Sequence, residues 1–216
     1  MTTTAEVATA PPSRKASRPV RRQQLIDATI VVLARKGYSA LTVADVAKTA
    51  GLSVGIINFH FESKEKLLVA CLMYLAEEYY QNWRNALSTP GASVAEKLRL
   101  VVLGDFNDKI FTPDKLAAWI AFWGETQARP FYIEVCSTYD SQRMETVSDL
   151  CDQIIREGGY DLVPKTVTRA IESLGDGLWL SVVAGNSQAR LTIDAAQARK
   201  ALQATLEAFF PRHFQS

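Results

Sequence analysis

Residues 42–61 read T-V-A-D-V-A-K-T-A-G-L-S-V-G-I-I-N-F-H-F. Thr42 is followed three residues later by Asp45, which is the spacing of a capping box at the start of a helix. Gly51 can adopt the left-handed backbone conformation that ends such a helix, and Ser53 can cap the next one. Apolar residues recur at helical spacing between these signals. The stretch therefore predicts two short helices joined by a tight turn.

The second of these helices has the side chains of a DNA-reading helix. Ile57 and Phe61 should point inward, whereas the outward positions carry small or hydrogen-bonding groups. These outward positions are Ser53, Val54, Gly55, Ile56 and Asn58. In a helix-turn-helix the second helix lies in the major groove, where Asn58 could pair with adenine and Ser53 could meet a base edge or a phosphate. We therefore predict a DNA-binding head.

Further DNA contacts are expected around this helix. Phe59 and His60 lie at its far end, where backbone contact is geometrically favoured, although His60 could instead be a packed or solvated histidine. Lys64 opens the following helix, whose free amides could grip a phosphate. Arg21, Arg22 and Thr42 complete the predicted surface.

Charge and composition agree with a basic head on a larger body. The chain has 216 residues, 48% of them hydrophobic, and a net charge of +1. Residues 1–66 contain ten basic and five acidic residues, and the remainder contains 14 basic and 18 acidic residues. No apolar run approaches the roughly 20 residues of a membrane span, and the N-terminus lacks the apolar core of a secretory signal. Cys71, Cys136 and Cys151 suit buried positions in a reducing cytoplasm rather than a disulfide framework.

Helix signals divide the chain into three parts. Residues 1–17 are rich in Thr, Ala, Pro and Ser and are expected to be a disordered basic arm that contacts phosphates or the minor groove, or else a solvated tail. Residues 18–64 form the predicted helix-turn-helix domain, and residues 65–216 form a ligand-binding and dimerisation domain. The helical spacing of apolar residues and the positions of helix-breaking Pro and Gly residues predict an all-α protein of about nine helices.

Catalytic constellations are missing from the sequence. The only histidines are His60 and His213, and no nucleophile motif, metal-ligand spacing or phosphate-binding loop is present. We predict no enzymatic activity, no cofactor and no metal. A nonspecific architectural DNA binder remains an alternative, and it would bind with strong salt dependence but without sequence preference.

The run N-F-H-F-E-S-K-E-K-L-L at residues 58–68 resembles the TetR family of bacterial repressors, although many members carry two aromatic residues before the histidine. The body is similar to the choline-responsive BetI type, which represses glycine-betaine synthesis. Its matching segments are G-D-F-N-D at 104–108, A-A-W-I-A-F-W at 117–123, R-P-F-Y at 129–132 and D-G-L-W-L at 176–180. The resemblance implies a cytoplasmic homodimer that binds a palindromic operator and is released when a small effector changes the spacing of its heads.

A quaternary ammonium effector would be held by aromatic faces with carboxylates nearby. The candidate walls are Phe106, Trp119, Phe122, Trp123, Tyr132 and Trp179, and the candidate counter-charges are Asp105, Asp108 and Asp176. An aromatic stripe at helical spacing is also typical of an ordinary core. A repressor of the same fold could instead respond to a hydrophobic drug, an acyl thioester or a polyamine.

Two apolar stripes near the C-terminus are candidates for a four-helix dimer interface. One comprises Ile171, Leu174, Leu178, Val182 and Val183, with small Gly175, Gly177, Ala184 and Gly185 beside it, and the other comprises Leu202, Leu206, Phe209 and Phe210. From the residues alone, packing within one chain is an equally good interpretation.

Overall fold

The computed structural model describes residues 17–125, 130–184 and 193–215, and these ranges contain ten α-helices and no strand. The helices are α1 (Arg18–Ala40), α2 (Val43–Ala50), α3 (Val54–Phe61), α4 (Lys64–Leu87), α5 (Val94–Leu103), α6 (Pro113–Trp123), α7 (Pro130–Gly158), α8 (Pro164–Ala184), α9 (Ala195–Phe209) and α10 (Pro211–Phe214). A single 3-10 turn, Gly104–Phe106, follows α5. The all-α prediction is confirmed. Apart from Ser17, the predicted arm lies outside the described residues.

The helix-turn-helix forms as its local signals predict. The side chains of Thr42 and Asp45 each bond to the other's backbone amide, which completes the capping box. Gly51 ends α2 in the left-handed conformation, with φ at 65°. Ser53 occupies the N-cap of α3, but its side chain makes no capping hydrogen bond, so the predicted side-chain cap is wrong.

The head packs on α1. Leu25, Ile26 and Leu33 of α1 are buried together with Ile57 and Phe61 of α3. The Gln24 amide also donates to the carbonyl of Ala50, at 2.7 Å, and so ties α1 to the end of α2. Gly37 lies near the C-terminal end of α1. The chain turns helical again after this residue and α1 continues to Ala40, but Gly37 itself breaks the helical geometry with φ at 73°.

Two helices join the head to the body. At 1.5 Å per residue the 24-residue α4 is about 36 Å long, and it runs without interruption from the end of the helix-turn-helix into the body. Helix α6 packs against α1. The ring of Phe122 meets Tyr38 edge-on, with 5.9 Å between centroids. A shift of α4 or α6 in the body would therefore reach the head.

Four other helices begin at a capping side chain. Ser63, Ser93, Thr112 and Asp194 cap α4, α5, α6 and α9 through their side chains. Ser93 and Glu96 have the spacing of a capping box, but the Glu96 carboxylate pairs with Arg99 one turn later. Pro211 follows α9 and begins the short α10.

Four of the nine large apolar residues in the two predicted dimer stripes are buried inside one chain. Ile171, Leu202, Leu206 and Phe210 are each no more than 1% exposed. Leu174, Leu178 and Phe209 are half-buried, and Leu180 of α8 is 48% exposed. The side chains of Val182 and Val183 lie outside the described residues. The packing interpretation therefore applies to the four buried residues, and a partner could reach α8 and α9 only through their other faces.

Within the described ranges, no helix is long and apolar enough to cross a membrane. All three cysteines are buried free thiols. As predicted, they act as small apolar core residues.

Candidate functional site

The outward face of α3 carries the residues predicted to touch DNA. Ser53, Val54, Gly55, Ile56 and Asn58 are exposed, whereas Ile57 and Phe61 are buried as expected. Because Ser53 makes no side-chain capping bond, its hydroxyl is not committed to the helix terminus. Thr42 is exposed, but its hydroxyl donates to Asp45 at 2.6 Å. An exposed helix face with small, apolar and hydrogen-bonding side chains suits a major groove.

The end of α3 and the start of α4 form the second part of this surface. Phe59 is 65% exposed, and His60 is half-buried beside it. Burial lowers the pKa of His60, and the charges of Arg18 and Arg22 lower it further. Lys64 is the first residue of α4, after the capping Ser63, as predicted. Arg22 is exposed nearby, and the Arg21 guanidinium bonds to Gln24 at 2.7 Å.

The body contains a cavity of about 320 Å³. Its lining residues come from α4, α5, the 3-10 turn, α6, α7, α8 and α9. Val102, Ile171 and Leu202 form an apolar floor, and they are almost fully buried. The volume is at the small end of the roughly 300–1,000 Å³ of small-molecule sites, which favours a compact ligand.

Aromatic rings form one wall of the cavity. Trp123 and Trp179 stack at 24° with centroids 6.2 Å apart, and Trp119 lies 6.4 Å from Trp123. Tyr79 meets Trp179 edge-on at 5.8 Å. Tyr132 also lines the cavity. The wall thus joins rings from α4, α6, α7 and α8, which lie far apart in sequence.

Opposite charges meet beneath this wall. The Arg143 guanidinium is 5% exposed and donates to Asp105 at 2.7 Å and to Glu172 at 2.8 Å. It also lies 5.2 Å from the centre of the Tyr79 ring, whose hydroxyl donates to Asp105 at 3.2 Å. Arg143 therefore compensates Asp105 and Glu172 from within the protein.

Two further carboxyl groups line the cavity without such a direct partner in this network. Asp140 and Asp176 line the cavity and keep exposed surface. Enough protein surrounds them that desolvation raises the pKa of Asp140 to about 6, with repulsion from Asp176 adding to it. Desolvation likewise raises the pKa of Asp176. The cavity lining holds four carboxyl groups and the two guanidinium groups of Arg143 and Arg169, so acidic side chains outnumber basic ones there.

Three predicted ligand residues lie outside the cavity lining. Phe122 lies one residue before Trp123 on α6, and its ring packs on Tyr38 of the head. Phe106 is fully buried against Phe111, with centroids 4.9 Å apart. Asp108 is exposed in the turn after the 3-10 turn. The positions of these side chains correct the sequence-based assignment, because neighbours in the sequence point to different sides of a helix or turn.

Sequence reasoning missed Tyr79, Asp140, Arg143 and Glu172. A usable signal existed for Glu172, since it lies four residues before Asp176 and seven before Trp179 and therefore shares a face of α8 with them. The same spacing logic joins Asp140 and Arg143 on α7. For Tyr79 no local pattern distinguishes it from the other aromatic residues of α4.

The family model for bacterial regulatory proteins of the tetR family matches residues 25–71, and that for the BetI-type transcriptional repressor C-terminal domain matches residues 94–211. The HTH-type transcriptional regulator BetI of Stenotrophomonas maltophilia (strain R551-3) is 31% identical over 182 residues, which cover 82% of this chain and 89% of that protein. A regulator structure from Pseudomonas aeruginosa PAO1 aligns with a TM-score of 0.75 at 23% identity, covering 93% of this chain and 97% of that one. One from Saccharomonospora viridis in complex with choline aligns with a TM-score of 0.75 at 20% identity, covering 88% and 97%.

Proposed function

Since the chain belongs to the tetR family of bacterial regulatory proteins and carries the BetI-type transcriptional repressor domain, we propose that choline or a related quaternary ammonium ion releases it from DNA. It binds a palindromic operator as a homodimer in the cytoplasm and controls genes of betaine synthesis or transport. The observation that carries the effector assignment is the tryptophan wall in the same cavity as the carboxyl groups of Asp140 and Asp176.

A quaternary ammonium ion has no N–H to donate, so only ring faces and unpaired negative charge can recognise its head group. Trp119, Trp123 and Trp179 supply such faces. Asp140 and Asp176 supply charge that Arg143 does not neutralise directly. An incoming cation would also favour the ionised forms of both carboxyl groups, whose pKa values are raised.

The alternative effectors fit this cavity less well. A long acyl thioester exceeds a volume of about 320 Å³, and its phosphates would face four carboxyl groups. A neutral drug would leave those carboxyl groups without compensation. A polyamine matches the charge but does not require the tryptophan wall. The choline complex of the Saccharomonospora viridis regulator adds support from a protein of the same fold.

Release of DNA follows from the connections of the cavity. Tyr79 of α4 and Trp119 and Trp123 of α6 line it, and these two helices also pack against the head. Because α4 starts directly after the recognition helix, a ligand that moves the wall changes the position of each head. In a dimer built on the remaining exposed faces of α8 and α9, that motion alters head spacing against a fixed operator.

The proposal is tested with an operator selected from a random duplex pool and with three ligands. Choline at about 100 times its Kd should raise the melting temperature by roughly 5–10 °C and release the operator. The matched control is 3,3-dimethylbutan-1-ol, which replaces the nitrogen of choline by carbon and so keeps shape without charge. It should neither shift the melting temperature nor release DNA. A response to spermidine but not to choline would overturn the choline assignment.

Replacing Trp123 by alanine should weaken choline binding about 2- to 30-fold, because one ring face contributes roughly 0.5–2 kcal/mol. Operator affinity without ligand should stay unchanged, since the ring of Trp123 packs against Trp119 and Trp179 in the body. Trp123→Phe keeps a smaller ring and should lose less. Titration calorimetry and a gel-shift release curve measure both effects. Release of the alanine variant at the wild-type choline concentration would remove Trp123 from the site.

A further inference from the structure

The first turn of α1 lies beside the last turn of α3. The Arg18 guanidinium is 5.2 Å from the centre of the Phe59 ring, and both residues are exposed. One helical turn later, the Arg22 guanidinium lies 5.2 Å from the centre of the Phe61 ring. Two arginines one helical turn apart thus lie over two aromatic rings at the end of the recognition helix.

Packing does not explain the exposure of Phe59. Its ring is 65% accessible at the edge of the predicted DNA surface, and its other neighbour is His60, with centroids 5.3 Å apart. A phenylalanine ring also has no hydroxyl to donate to a phosphate. A direct hydrogen bond from this side chain to DNA is therefore impossible.

Stacking changes what Arg18 can do. A guanidinium that lies over a ring uses its planar face, so its N–H groups at the edge remain available for a phosphate. An exposed cation–π contact contributes only about 0.5–1 kcal/mol, but it restricts a long flexible side chain before DNA arrives. The ordering cost that such a side chain normally adds on binding is then smaller.

We propose that Arg18 binds a backbone phosphate beside the recognition helix and that Phe59 is its positioning residue. This inference rests on the DNA-binding function proposed above. It gives Phe59 an indirect role instead of the backbone contact predicted from sequence. It also places a phosphate contact on α1 itself, within the described helix and separate from the arm that precedes it.

The test is operator binding by the full-length protein over a range of salt concentrations. Log affinity falls linearly with log salt concentration, and Arg18→Ala should make this fall less steep by about 0.9 for each head. The variant should also bind the operator and a scrambled duplex more weakly by the same factor. The matched control is Arg84→Ala, because Arg84 is an exposed arginine stacked on Tyr80 at 5.6 Å in the body. It should change neither the slope nor the affinity.

A double-mutant cycle isolates the role of Phe59. Phe59→Leu keeps an apolar side chain but removes the ring face, so it should weaken binding when Arg18 is present and have no effect in the Arg18→Ala background. An equal loss in both backgrounds, or an unchanged salt slope for Arg18→Ala, would overturn the inference while leaving the repressor function intact. Failure of the wild-type protein to bind any selected duplex would instead refute both.

Discussion

Replacing Asn58 by alanine is expected to weaken operator binding by about 10- to 100-fold for each head, because a bidentate side-chain contact to adenine is worth roughly 1–3 kcal/mol. Asn58 is exposed on α3 between the buried Ile57 and the exposed Phe59, so its loss removes no packing. In the proposed dimer each head reads its own half of the operator, so the two losses should add. Gel-shift titration against the selected operator measures the effect.

A scrambled duplex separates base reading from general affinity. Asn58→Ala should leave its binding within about 2-fold of wild type, since phosphate contacts supply nonspecific affinity. Lys64→Ala is the complementary variant: Lys64 begins α4, and its loss should weaken binding to both duplexes alike. Equal losses of Asn58→Ala on both duplexes would show that α3 does not read bases through this residue.

The head was predictable because its signals are local. The capping box at Thr42 and Asp45 and the left-handed Gly51 act within one or two helical turns, so neighbouring residues determine them. The inward positions of Ile57 and Phe61 follow from helical periodicity alone. Ser53 departs from the rule because periodicity and propensity fix its position but not its side-chain rotamer.

The cavity was only partly predictable because it depends on how distant helices meet. Spacing placed Trp119 and Trp123 on one face of α6, but the same argument wrongly added Phe122, which packs on Tyr38 of the head. The contact of Arg143 with Asp105 spans 38 positions, and no local pattern reports such a pairing. Periodicity shows that a helix has an apolar face, and the tertiary packing determines which neighbour covers it.

The apolar face of α8 and α9 illustrates the same limit. Ile171 and Leu202 were expected at a subunit interface, but both line the cavity inside one chain. A stripe of large apolar residues fits either partner equally well in sequence. The exposed Leu180 on α8 is more informative than the stripe, because it is apolar surface that the single chain leaves uncovered.

Replacing Arg143 by methionine is expected to destabilise the protein by about 3–5 kcal/mol, the usual cost of removing one partner from a buried ion pair. For a chain of this length that lowers the melting temperature by roughly 6–20 °C. Arg143 is 5% exposed, and its removal leaves the carboxylates of Asp105 and Glu172 facing each other without a cation. The matched control is Arg156→Met, because Arg156 forms an exposed pair with Asp152 at 2.9 Å and should cost less than about 1 kcal/mol.

The cause of that loss is charge rather than volume, and two measurements distinguish them. Neutralising both partners, with Asp105→Asn and Glu172→Gln added to Arg143→Met, should recover much of the lost stability, because uncharged amides no longer repel each other. The single variant should also be less destabilised at pH 5 than at pH 8. Burial raises the pKa of Asp105 to about 7 even beside Arg143. Loss of this cation raises that pKa further, so the folded state of the variant loses stability as the pH rises and the buried Asp105 has to ionise. The loss of folding stability could instead be independent of pH and persist in the triple variant. Arg143 would then stabilise the body through its packing on the Tyr79 ring, at 5.2 Å, and not by compensating the two carboxylates.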